Sequence, residues 1–181
     1  MQAVALLISA GLYVLPLGIL FTVGDAKHEL KHDIADAFEV YENFPSVVAI
    51  FDQDLDGDLD CVQSVRTYLD PEAHEATYVW ILKGLNGMKP ENLTFHLKPG
   101  ATADTSVFTM DNDNNEQTLD FLYTDYKDCL IVEIPYKGAE QCMLWVADAR
   151  KDDIPQSCVD YYEDNCDAEK TSYLKDVCSS S

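Results

Sequence analysis

Residues 118–147, TLDFLYTDYKDCLIVEIPYKGAEQCMLWVA, decide the fold. Three short runs rich in Leu, Ile, Val, Phe, Tyr and Trp occupy 118–123, 129–134 and 141–147. A polar break at 124–128 and a Lys137-Gly138 turn separate them. Short runs of β-branched and aromatic residues with turn residues between them read as strands joined by hairpins. Toward the N-terminus the pattern recurs at 46–51, 61–69, 76–85, 92–97 and 106–110. The turn signals there are Asp56-Gly57, Asp70-Pro71, Asn86-Gly87, Pro99-Gly100 and the polar run 111–115. Eight strands at short, regular spacing predict a mainly β protein, a sandwich or an antiparallel barrel. An eight-stranded up-and-down barrel is wide enough to hold one small ligand.

Helical patterns flank the strands. In KHELKHDIADAFEVYE, residues 27–42, Leu30, Ile34, Ala37, Phe38 and Tyr41 recur at steps of three and four, and Pro45 ends the pattern. After Pro155 the chain turns helical again, with Tyr161, Tyr162, Tyr173, Leu174 and Val177 available to pack on the barrel wall. A chain of 181 residues with 47% apolar composition supports one domain, 27–181, with a real core.

Residues 3–23, AVALLISAGLYVLPLGILFTV, are almost wholly apolar. They read as a secretory signal peptide, 1–26, cleaved before Lys27, with an uncleaved anchor as the alternative. Pro16 interrupts the run, and Gly24-Asp25-Ala26 supplies small residues for a peptidase, although no Lys or Arg precedes the run. Six cysteines, Cys61, Cys129, Cys142, Cys158, Cys166 and Cys178, then read as three disulfides of a secreted, extracellular protein. Spacing alone leaves their pairing open. The absence of any C-x-x-C argues against zinc knuckles and thioredoxin chemistry. Asn92-Leu93-Thr94 is a glycosylation sequon. With 33 acidic against 12 basic side chains, net charge −21, the chain repels phosphate, so nucleic acid and membrane are not its partners. The same charge attracts cations, or it simply keeps the protein soluble.

The sharpest local motif runs from Asp52 through Asp54, Asp56, Gly57, Asp58 and Asp60 to Gln63. It imitates an EF-hand loop, but Gln63 stands where calcium needs a bidentate Glu, and strand-like runs replace the flanking helices. A solvated acidic hairpin is the preferred reading and a calcium-dependent module the minor one. His28 and His32 share a helix face without a third ligand, and His74 and His96 have no identifiable partner. No nucleophile elbow, P-loop or dinucleotide fingerprint occurs, so the protein reads as a binding protein without cofactor rather than an enzyme. The aromatic alternation is more informative. Tyr78 and Trp80, Phe121 and Tyr123, and Met143 and Trp145 are each two residues apart, and Phe108 lies on a similar strand. Facing inward, they either line an apolar cavity or fill the barrel core.

The stretches Asp128-Cys-Leu-Ile-Val132, Cys142-Met-Leu-Trp-Val146 and Ile154-Pro-Gln-Ser-Cys158 resemble the tick salivary lipocalins, which include the histamine-binding proteins. The likeness covers about 27–181 and implies an eight-stranded lipocalin barrel with an N-terminal helix and a C-terminal helix packed on its wall. It further implies secretion into the host and scavenging of mediators such as histamine, serotonin or leukotrienes, some members binding complement proteins. It implies the pairs Cys61–Cys178 and Cys129–Cys158, which leaves Cys142 with Cys166. Amine-binding members carry inward carboxylates at two positions where this chain has Leu130 and Met143. A buried cation needs such partners. Glu91 is a looser candidate for another inward acid. The expected ligand is therefore a hydrophobic or amphipathic lipid mediator rather than a biogenic amine, bound by a monomer. Its wall would comprise Tyr78, Trp80, Phe108, Phe121, Tyr123, Leu130, Met143 and Trp145. The alternative partner is a host protein, held by acidic loops at 52–60 and 111–116.

Overall fold

Along β3 (Glu75–Leu82) every second residue is buried: Ala76, Tyr78, Trp80 and Leu82. This is the burial of a strand with one face on a core. The structure, a computed structural model, describes residues 33–54, 56–111, 113–166 and 170–179. The expected signal segment, His28 and His32 lie outside the described residues. The other strands are β1 (Ser46–Asp52), β2 (Gln63–Asp70), β4 (Glu91–Pro99), β5 (Thr105–Met110), β6 (Asp113–Thr124), β7 (Cys129–Tyr136) and β8 (Ala139–Ala147). Each pairs antiparallel with its neighbour in sequence, and β1 pairs with both β8 and β2. The sheet thus closes into an eight-stranded barrel with the expected up-and-down order. A two-residue strand, β9 (Lys170–Thr171), adds to the far end of β1.

Two cores result from the closure. The inner one gathers Val47, Trp80, Phe95, Phe108, Phe121, Val132, Met143 and Trp145 from around the ring. The outer one holds Ile50, Ile131, Leu144 and Val146 beneath α2 (Gln156–Asn165) and its Tyr162. That helix is stapled to the two strands below it by Cys129–Cys158 and Cys142–Cys166, while Cys61–Cys178 ties the C-terminal segment to the loop after β1. Strands β7 and β8 are therefore buried on both faces, which is why CLIV and CMLWV read as nearly unbroken apolar runs.

Three elements differ from the sequence reading. The first helix, α1, spans only Ala37–Asn43. The Asp36 carboxylate accepts hydrogen bonds from the Phe38 and Glu39 amides, which caps the helix there. Ile34, assigned to the helix's apolar face, is 75% exposed. The second difference concerns the polar run 111–116. Most of it is not loop but the start of β6, paired to β5 through Met110–Asp113 with a bulge in the register. Its exposed face needs no apolar alternation, so its composition imitates a turn. Third, the tail beyond α2 is not one helix. It forms β9 and then a short α3 (Lys175–Cys178), with Leu174 and Val177 exposed rather than packed on the wall.

Candidate functional site

Helix α1 closes one end of the barrel. Its start is tied to the β4–β5 and β6–β7 loops, the Ala37 amide donating to the Ala103 carbonyl (2.8 Å) and the Asp36 amide to the Tyr126 hydroxyl (2.7 Å). Its C-terminal carbonyls, Tyr41 and Glu42, accept from the Arg66 guanidinium, which suits the negative end of a helix. Val40, Tyr41 and Phe44 then form the floor of a cavity inside the barrel. Tyr78, Trp80, Phe95, Phe121, Leu130, Val132 and Trp145 build its wall, and Ser64 adds a hydroxyl. Trp80 sits at the centre of an aromatic cluster, 4.7 Å from Phe95, 5.3 Å from Trp145 and 5.9 Å from Tyr136 between ring centroids. Tilted pairs at these separations are favourable beyond their area.

The space open to the centre of a water-sized sphere is about 70 Å³. On that measure a single water needs about 10–15 Å³, so the cavity admits a compact group and not a large rigid one without side-chain movement. Among the described residues, its lining contains no Asp, Glu, Lys, Arg or His. Both of its phenol hydroxyls already have partners. Tyr41 donates to Ser106 (2.6 Å), and Tyr78 donates to the Phe44 carbonyl (2.7 Å). Burial holds both phenols well above the usual tyrosine range.

That burial has a testable consequence. An unfolded tyrosine ionises near pH 10, whereas Tyr41 and Tyr78 in the barrel resist ionisation. Their contribution to stability is complete below pH 10 and is lost as pH rises above it, because only the unfolded chain then releases those protons. Tyrosinate absorbance should rise in two stages, the second coinciding with loss of the β-sheet circular dichroism. One stage near pH 10, with the sheet signal intact to higher pH, would contradict the buried placement.

The structure separates the residues singled out from sequence. Tyr78, Trp80, Phe121, Leu130 and Trp145 meet on the cavity wall. Phe108 and Met143 are fully buried in the inner core but are not among the residues that line the cavity. Tyr123 goes elsewhere. A register shift between Phe121 and Tyr123 reverses the strand, so Phe121 faces in while Tyr123 faces out and stacks on Tyr161 of α2 at 3.7 Å. Glu91 opens β4 at the rim, exposed, and not within the cavity. Asn92, the sequon residue, is exposed beside it. Sequence reasoning missed Tyr41, Phe95 and Ser64. Tyr41 was legible only as one of several apolar helix positions, and Ser64 carried no signal at all.

At the other end of the barrel the β1–β2 connection carries the acidic run. Asp54, Asp56 and Asp58 bring carboxylate oxygens within 4.8 Å of one another. Strands flank this loop, not helices. Asp52 accepts a hydrogen bond from Ser172, and Asp58 is paired with Lys137. His74 stacks on Phe38 at 4.5 Å, and His96 bonds Asp111 at 2.7 Å on the outer surface.

The profile of the tick histamine binding protein family matches residues 26–180. The chain belongs to that family. Solved structures agree on the fold at low identity. AM182 in its serotonin complex matches with a TM-score of 0.57 and 14% identity, over 81% of this chain and 96% of that one. Japanin from Rhipicephalus appendiculatus, bound to cholesterol, matches with a TM-score of 0.53 and 12% identity, over 70% of this chain and 90% of that one. The cockroach allergen Per a 4 matches with a TM-score of 0.50 and 13% identity, over 71% and 78% of the two chains. No curated protein matches the chain in sequence. The family assignment fits a ligand-binding barrel better than an enzyme.

Proposed function

We propose that this family member is secreted into the host and sequesters a small neutral or amphipathic mediator of lipid type in the barrel cavity, dampening host defence without catalysis or cofactor. The observation that carries the reading is the lining, which is aromatic and aliphatic with three hydroxyls and no charge. An ammonium placed there would lose its hydration and find no anion, at a cost of several kcal/mol. An apolar group loses nothing comparable and gains about 25 cal/mol for each Å² buried. Leu130 and Met143 are both buried on the inner side, and by the family resemblance they take positions where amine-binding members carry acids. That one barrel fold holds serotonin in AM182 and cholesterol in japanin supports a cavity tuned by its lining rather than by its frame. Three disulfides suit an extracellular site of action.

Native mass spectrometry of the disulfide-intact protein with a panel of amines and lipid mediators tests the reading. The expected result is a one-to-one adduct with a lipid-type member and none with histamine. A histamine adduct of equal stability would overturn it. Absence of every adduct would shift the reading to the outer surface, where the exposed acidic half of β6 is the contact candidate for a basic host protein.

A further inference from the structure

Of the eight residues of β2, Ser64 alone is buried, at 5% exposure. The register sets it opposite Val47 of β1 and Trp80 of β3, and it lines the cavity with them. A strand that turns one face to an apolar core ordinarily offers Val, Ile or Leu there. A serine instead carries a hydroxyl out of water, and a buried hydroxyl is stabilised only when it is hydrogen-bonded. Among the described residues, nothing bonds the Ser64 hydroxyl. The two phenols of the lining differ in this respect, because Tyr41 donates to Ser106 and Tyr78 to the Phe44 carbonyl. Ser64 is therefore the lining hydroxyl whose proton is left for a ligand.

We propose that Ser64 is the polar anchor of the cavity, and that it selects an uncharged ligand with an apolar body and one hydroxyl or carbonyl oxygen over a fatty-acid-like carboxylate. The inference rests on the cavity reading above and narrows its ligand class. A serine hydroxyl both donates and accepts, so it matches an alcohol or a carbonyl oxygen. Trp80, directly across the ladder, supplies apolar surface beside it. A carboxylate would find no such home. The lining holds no Lys, Arg or His, and the Arg66 guanidinium, two residues along β2, is held by the Tyr41 and Glu42 carbonyls and does not line the cavity. An anion would thus lose its hydration without a counter-charge, and the net charge of −21 repels its approach. A ligand with no oxygen at all would leave the hydroxyl unpaired, which is the physical basis on which a polar site rejects an apolar analogue.

Three compact probes that share one ring, cyclohexanol, cyclohexane and cyclohexanecarboxylate, test this on the intact, oxidised protein and on Ser64→Ala. Trp80 and Trp145 are the only tryptophans of the chain and both line the cavity, so their emission reports occupancy directly. Cyclohexanol should bind about fivefold more weakly to Ser64→Ala than to wild type, as expected for one neutral hydrogen bond. Cyclohexane should bind the two proteins equally, and cyclohexanecarboxylate at pH 7 should bind neither. Equal cyclohexanol affinity in both proteins would overturn the anchor while leaving the cavity reading in place. Carboxylate binding as tight as that of the alcohol would overturn the uncharged class. No emission change with any probe would remove the cavity reading itself, and the anchor with it. A ligand-free measurement stands beside these. Ser64→Ala removes a hydroxyl without a partner, so its Tm should equal or exceed that of wild type. A Tm lower by several degrees would show that the fold itself uses the hydroxyl, against its assignment to a ligand.

Discussion

Leu130→Asp is expected to turn a barrel that ignores histamine into one that binds it, and adding Met143→Glu should strengthen the effect. Leu130 is 6% exposed and its side chain already lines the cavity, so an aspartate there places a carboxylate where an ammonium could enter. Met143 lies across from Val132 in the inner core but does not line the cavity, so a glutamate there must extend its head group into the cavity to help. Without ligand both changes should destabilise the fold by several kcal/mol, since each buries an unpaired acid. Burial raises the pKa of such an acid, so the variants should be most stable below about pH 4 and lose stability as pH rises through the raised value. Histamine at a hundred times its dissociation constant should return about 2.7 kcal/mol, read as a rise in Tm. Wild type should show no rise. A folded Leu130→Asp variant whose Tm is indifferent to histamine would mean that the cavity does not admit the amine even when an anion awaits it. The single variant keeps the test decisive should the double one fail to fold.

Local chemistry explains why the barrel was legible and parts of the site were not. Strand positions such as Tyr78 and Trp80 announce themselves because period-two alternation is written in adjacent residues, whereas Leu130 lies in a strand buried on both faces and was singled out only through the family resemblance. Tyr123 defeated that logic. The bulge that turns it outward is one extra residue in a ladder, and Phe121-Leu122-Tyr123 carries no Gly or other mark of it. The acidic half of β6 was hidden for the opposite reason, since a solvent-facing hairpin strand can be built from Asp, Asn and Glu so long as its partner supplies hydrogen bonds. Whether aromatic side chains line a space or fill it depends on how rings such as Trp80 and Phe95 tilt, a matter of packing around the whole ring. The Asp58–Lys137 ion pair was least visible. Asp58 and Lys137 are 79 positions apart, and only barrel closure brings them together. The acidic motif drew attention to Asp58 as a metal ligand, whereas the fold supplies it with a lysine.

Replacing Cys61 and Cys178 together by alanine should destabilise the protein more than removing either other disulfide. This cross-link closes 117 positions of chain, against 29 for Cys129–Cys158 and 24 for Cys142–Cys166. Loop-closure entropy in the unfolded chain then assigns about 4.9 kcal/mol to the first and about 3.5 kcal/mol to each of the others. Native contacts argue in the same direction. The cross-link is the covalent tie of the short, exposed α3 to the barrel, beside the Lys175–Asp152 ion pair (3.2 Å) and the Lys83 ammonium donating to the Cys178 carbonyl (3.5 Å). Upstream, β9, the Ser172 amide on the Ile50 carbonyl (2.9 Å) and the Ser172 hydroxyl on Asp52 give that tail its own attachment. The folded barrel should therefore survive the substitution, with the loss arising mainly in the unfolded chain. Cys61 is also held in the left-handed region, φ 61°, and its amide donates to the Ser172 carbonyl (2.8 Å), so alanine retains the backbone strain while losing the staple. Urea unfolding should show a lower midpoint and a larger m-value, as a less constrained unfolded chain exposes more surface. If the Cys142/Cys166 variant loses more stability than this one, chain entropy is not the governing term. The docking of α2 on the outer core through Tyr162 would then dominate.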